Sequence, residues 1–234
     1  MFQLVKYELR GKLLTLLAIC LTVIMGNLFL MTKIDSWQIG ATVFSGFLGG
    51  GAVLLICFFS LTLMSDYLYD EQGYLLFTLP QSGMSILVSR LLAAVIQIST
   101  VALVAVLMFC LLDQGRVAEI IMRQVGPEEI LYSILMHLWT VVSGLTFIYF
   151  CMVAGKVALR GKNGGKVGSL FIFFVLSMAK AGITAIIANS FPREMGFHSI
   201  LAMTMNLGSM ILDVAVFAVL FMATSYLLEH KVDL

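Results

Sequence analysis

The chain has 234 residues, 61% hydrophobic and 12% charged, with a formal net charge of +1, and its mean hydropathy is +1.04. A soluble domain carries about a quarter charged residues; a chain this apolar cannot hide its surface in one core, so lipid is its solvent. The near-neutral balance gives no support to nucleic acid, or to an acidic ligand held by bulk charge.

Taken in order, residues 1–12 set Phe2, Leu4, Val5 and Leu9 among Lys6, Glu8, Arg10 and Lys12. That pattern predicts a short basic amphipathic helix lying on an anionic leaflet. The first predicted span follows at 13–31, close to the roughly 20 residues a bilayer needs. It lacks a small-residue cleavage pattern, so it is read as a retained span. A short loop with Lys33, Asp35 and the interfacial Trp37 leads to span two, 39–64. In that span Gly46 and Gly50 stand four apart on one helix face, which lets another backbone approach closely, from this chain or from another subunit. Ser65 to Arg90 is charged and turn-marked. Its first part predicts a short amphipathic helix on the membrane surface, stopped at Pro80, with Ser82 as N-cap of the third span. That span is placed at 86–112. Within 113–129, Val117, Ile120, Ile121 and Val125 follow helical spacing, predicting a surface helix ended near Gly126 and Pro127. Spans four, five and six are placed at 131–154, 167–188 and 206–228, with a glycine-rich basic loop from Gly155 to Lys166. The stretch before span six carries Pro192, Arg193, Glu194 and Gly196, then an apolar run read as dipping partway into the bilayer.

The basic residues orient the chain. With the N-terminus inside, cytoplasmic segments hold Lys6, Arg10, Lys12, Arg90, Lys156, Arg160, Lys162, Lys166 and Lys231; outer loops hold Lys33, Arg116, Arg123 and Arg193. The positive-inside rule then places both termini in the cytoplasm, with an even number of spans. The fold expected is an all-α membrane protein: one transmembrane domain over 1–234, six transmembrane helices, an N-terminal interfacial helix and a cytoplasmic helix between spans two and three.

Several chemistries fail on spacing. The run Gly161 to Lys166 invites a phosphate-loop reading, but the position five before Gly165 is Arg160 and the residue after Lys166 is Val167, so the motif is not met. His137, His198 and His230 have no H-E-x-x-H partners, and no Gly-x-Ser-Gly sequence occurs. Neither catalytic nor metal-binding residues are assigned. Cys20, Cys57, Cys110 and Cys151 each lie inside an apolar run and read as small apolar fillers.

Two ionisable residues fall within spans, Lys180 in the fifth and Asp213 in the sixth. Counting at about 1.5 Å per residue puts each about 10–12 Å from the outer boundary. Charges in hydrocarbon pair or face a polar cavity, so an ion pair is expected, acting as a clamp between the last two spans or as part of the path's outer end. Gln97, His137 and Asn206 are candidates for a polar seam in the same half.

The segment DYLYDEQGYLLFTLP, with a Ser-led helix ending in SRLL, resembles the cytoplasmic segment after the second span in permease subunits of ATP-binding-cassette exporters, type-2 superfamily. The matching residues are Asp66, Tyr67, Asp70, Glu71, Gly73, Tyr74, Leu79 and Pro80; Gln72 separates Glu71 from Gly73, which are adjacent in many relatives. KYELRGK (Lys6 to Lys12) and AGKVALRGKNGGKVGSL (Ala154 to Leu170) are similar to further family segments. The resemblance implies an ATPase-coupling surface at Asp66, Tyr67, Asp70, Glu71, Gly73, Tyr74 and Pro80, and a basic loop at Lys156, Arg160, Lys162 and Lys166 bordering the ATPase. It implies two separate ATPase subunits carrying ATP and Mg, a second permease subunit, identical or related, and a bacterial cytoplasmic membrane. The cargo expected is amphipathic, peptide or lipid-like. The rival readings are an ATP-independent secondary transporter, which would want broken spans and coupling-ion carboxylates, and a membrane scaffold that moves nothing.

Overall fold

Apolar runs of this length, rich in Leu, Ala and Met and poor in proline, satisfy their backbone groups within one segment only as helices. The computed structural model of the chain describes residues 2–34, 36–69, 83–113, 119, 126–158, 162–190, 194–196 and 204–230. Six helices carry it: α1 (Phe2–Met31), α2 (Gln38–Tyr69), α3 (Gly83–Leu112), α4 (Pro127–Ala158), α5 (Lys162–Ser190) and α6 (Leu207–His230). Between α5 and α6 a small antiparallel ladder pairs β1 (Glu194–Gly196) with β2 (Thr204–Asn206), Met195 facing Met205. Every helix contains a stretch long and apolar enough to cross a bilayer. By length and composition this is a multi-pass α-helical membrane protein.

The helices outrun the predicted spans. No break separates residues 1–12 from the first span: α1 is continuous from Phe2, since one glycine, Gly11, costs a helix only about 1 kcal/mol. Ser65–Tyr69 is the last turn of α2 rather than the start of a separate surface helix. The Gly126–Pro127 pair opens α4: the Glu129 and Ile130 amides donate to the Gly126 carbonyl, at 3.0 and 3.2 Å. Proline suits a first helical position, where its missing N–H has no partner to lose, and Glu128 and Glu129 complement the positive end of the helix dipole. Of the surface helix expected over 113–129, residues 114–118 and 120–125 lie outside the described residues.

The chain divides into two units, Met1–Thr62 with Leu92–Leu138, and Leu63–Leu91 with Trp139–Leu234. In the first, Asn27 of α1 is buried; its amide donates to the Val23 carbonyl (2.9 Å) and its side-chain oxygen accepts from the Ser45 hydroxyl of α2 (2.5 Å). Ser60 of α2 donates to the side-chain oxygen of Gln97 of α3 at 3.4 Å, both buried. Buried polar groups in an apolar layer are kept by such partners. Close approach is made by Gly49, where an added Cβ would lie 3.2 Å from Ala105; Gly46 and Gly50 have nothing within 4 Å of that position.

In the second unit, Trp139 of α4 packs on Phe217 of α6 with ring centroids 5.2 Å apart, and Phe147 of α4 meets Phe173 of α5 edge-on at 5.7 Å. Near their linked ends α4 and α5 cross backbone to backbone. A Cβ on Gly155 would fall 2.5 Å from the Ser169 amide nitrogen and 2.8 Å from the Gly165 carbonyl oxygen. The first turn of α3 docks on the end of α6 in the same manner: a Cβ on Gly83 would lie 2.7 Å from the Ser225 carbonyl oxygen.

Candidate functional site

Three groups of residues were singled out by the sequence, and the structure treats them differently. Of the coupling surface, Asp66 is exposed in the last turn of α2 and Tyr67 follows it on the same helix. Asp70, Glu71, Gly73, Tyr74 and Pro80 lie outside the described residues, as do 70–82 altogether. The two flanks of that segment are held firmly. Leu68 at the end of α2 and Leu87 at the start of α3 are fully buried, and Gly83 is wedged on α6. Both flanks belong to the second unit, with most of α4 and all of α5 and α6.

The basic loop is mostly not a loop. α4 runs on to Ala158 and places Lys156 in its last turn, where a cation complements the helix dipole. α5 begins at Lys162 and carries Lys162 and Lys166 in its opening turns. Only three residues, 159–161, separate the helices, and Arg160 lies outside the described residues. Glycines of this stretch serve contact: Gly155, Gly165 and Gly168 are buried, and the missing side chain of Gly155 is what allows the α4–α5 crossing. Lys162 and Lys166 stand at the positive end of the α5 dipole, an arrangement that favours an anionic neighbour.

The ion pair is present. Lys180 Nζ lies 2.9 Å from Asp213 Oδ1, with 39% and 40% of the two side chains still open. Lys180 is seven residues short of the span end at Ile187 and Asp213 five residues past Gly208, so they sit about 10 and 8 Å inside those ends at 1.5 Å per residue. The polar seam is not assembled as expected. Gln97, in the first unit, has Ser60 as its partner, His137 is exposed on α4, and Asn206 closes β2 next to α6. Other polar groups accompany the ion pair instead: Ser177 and Thr184 on α5, three and four residues from Lys180, and Ser209 on α6, four residues from Asp213. Such spacings keep side chains on one helix face, a signal legible in the sequence once Lys180 is taken as the reference. Among the described residues, no three of His, Cys, Asp or Glu come together as a metal site would require. Cys151 is buried in α4, while Cys20, Cys57 and Cys110 are half-buried, all as free thiols. Compared with known proteins, the chain matches no family model, no curated protein and no solved structure.

Proposed function

We propose that the chain is the membrane permease subunit of an ATP-binding-cassette exporter of the type-2 superfamily, moving an amphipathic, peptide or lipid-like cargo with energy from a separate ATPase. Both termini face the cytoplasm of a bacterial cell, and the complex comprises two ATPase subunits, which hold the ATP and Mg, and a second permease copy or relative. The observation that supports this reading is the anchoring of the two helix ends that flank the segment resembling the family. Residues 70–82, with Asp70, Glu71, Gly73, Tyr74 and Pro80, connect two helix ends anchored in the unit that contains the intramembrane ion pair. A push on that segment reaches α6 directly through the contact between Gly83 and Ser225. Interiors this closely packed transmit displacement rather than absorb it. Lys156, in the last turn of α4, and the basic residues Arg160, Lys162 and Lys166 that follow it in sequence would offer positive charge to acidic groups on the ATPase or to anionic lipid.

Copurification tests the reading. The tagged full chain is drawn from native membranes, and a nucleotide-hydrolysing subunit of separate sequence is expected with it. Replacing Glu71 and Tyr74 by alanine lowers that association or the ATPase stimulation. Recovery of a chain that transports cargo without any ATPase would overturn the proposal.

A further inference from the structure

The three helices of the second unit share a gradient of burial. In α4 the buried residues run from Leu145 to Gly155, with none earlier in the helix. In α5, Gly165 and Gly168 are buried, and nothing from Ser169 to Ile187 is. In α6, Leu220, Thr224 and Leu228 are buried, and nothing from Gly208 to Val219 is. These helices are packed at the end carrying Lys156 and loosely packed at the end where the β-ladder joins α5 to α6. Lys180 and Asp213 lie in that loose half.

The contact joins one carboxylate oxygen to the ammonium, and 39% and 40% of the two side chains stay open beside it. A half-open ion pair facing hydrocarbon is strongly disfavoured, so its open side meets water or a polar ligand. Ser177, Thr184 and Ser209 extend the polar strip around it. A ligand with a single charge would engage one partner and leave the other uncompensated beside hydrocarbon, whereas one with both charges keeps the site neutral throughout.

We propose that the α5–α6 seam is a water-filled crevice and that Lys180 and Asp213 at its floor bind a zwitterionic group, the ligand's ammonium on Asp213 and its phosphate or carboxylate on Lys180. The proposal rests on the exporter reading only in taking this end as the outer one. Such a group is available from an aminophospholipid headgroup or from a soluble cargo.

The test uses the full chain in nanodiscs of phosphatidylglycerol, with the wild type, which retains its four cysteines, as the labelling blank. Thr184→Cys and Ser209→Cys are reacted with a charged, membrane-impermeant thiol reagent beside Met178→Cys, which lies 77% exposed on the other side of α5. Because only a hydrated thiol ionises to the reactive thiolate, the first two react about tenfold faster than the third; equal rates overturn the crevice. Phosphatidylethanolamine is then added to the discs, or glycerophosphoethanolamine to the solution. Slowed labelling by the lipid alone assigns a headgroup as the ligand; slowing by the soluble compound assigns a free zwitterion; slowing by neither overturns the binding site. Lys180→Gln abolishes the protection, while the exchange of the two residues, Lys180→Asp with Asp213→Lys, keeps the fold's ion pair and retains it. Protection that survives Lys180→Gln refutes the assignment. None of these readings depends on an ATPase, so failed copurification and failed labelling are separate results.

Discussion

Gly155 provides the sharpest test of how the second unit is held. A methyl group there would meet three backbone atoms, at 2.5, 2.7 and 2.8 Å from the Ser169 nitrogen, the Ser169 Cα and the Gly165 oxygen. Backbone cannot rotate away as a side chain can, so α4 and α5 must separate by close to an ångström for Ala to fit. Overpacking of this kind costs about 1–3 kcal/mol. Replacing a helical glycine by alanine returns about 1 kcal/mol of intrinsic helix preference, so the net loss for Gly155→Ala is about 0–2 kcal/mol. Gly144 supplies the control on the same helix. It has nothing within 4 Å of its missing Cβ, and Gly144→Ala is expected to be neutral or up to about 1 kcal/mol stabilising. The difference between the two variants, about 1–3 kcal/mol, removes the shared propensity term. Reversible unfolding in mixed micelles, followed by circular dichroism, measures it. Equal stability of the two alanine variants would refute the backbone crossing.

Neutralising one member of the ion pair, as in Lys180→Met or Asp213→Leu, is expected to destabilise by about 1–3 kcal/mol, below the full intramembrane cost because each group is partly open; the double variant recovers most of that loss in the same unfolding assay. A double-mutant cycle on Asn27→Ala and Ser45→Ala should give a coupling of about 0.6–1.7 kcal/mol, the range of interhelical hydrogen bonds in membranes, and no coupling would place the contact elsewhere. Gly83→Val pushes into the Ser225 carbonyl and should cost about 1–3 kcal/mol, with weakened ATPase stimulation in the purified complex beyond what Gly126→Val, at an open position, produces.

How much could be read without the fold depends on which force writes the signal. Hydrocarbon selects for long apolar runs, so the six crossing helices were visible as such. It does not mark where a helix stops, because helices end by hydrogen bonding and capping. Hence α1 begins at Phe2, α2 persists to Tyr69 and α5 starts at Lys162, each beyond its apolar run. Gly126 and Pro127 contain the turn signal for either an end or a beginning; the following Glu128 and Glu129 were the cue that a helix starts there. The ion pair was legible because consecutive antiparallel helices bring residues of equal depth together. The glycine contacts were harder, since one residue rotates a helix by about 100°. Gly46 and Gly50 have the expected spacing and stay open, while Gly49 meets Ala105. Gly155 and Gly165 belong to what reads as a loop in sequence, yet Gly155 sits against the Gly165 carbonyl and the Ser169 backbone at a helix crossing.

That crossing changes what the basic segment can do. A mobile loop would blur four cations over a wide volume, and a partner would lose affinity by ordering them. Here Lys156 and Lys162 are built on two helices locked together at Gly155, with three residues between them. The same end of the unit carries the anchored flanks of residues 70–82. Under the exporter reading, the partner therefore grips a stiff end. The loosely packed half around Lys180 and Asp213 is where the helices can rearrange, since a filled core resists new packings and an unfilled one does not. On that reading force would enter where the backbones touch and become access where they part, and a stiffening disulfide across the open half should stop transport while leaving ATPase binding intact.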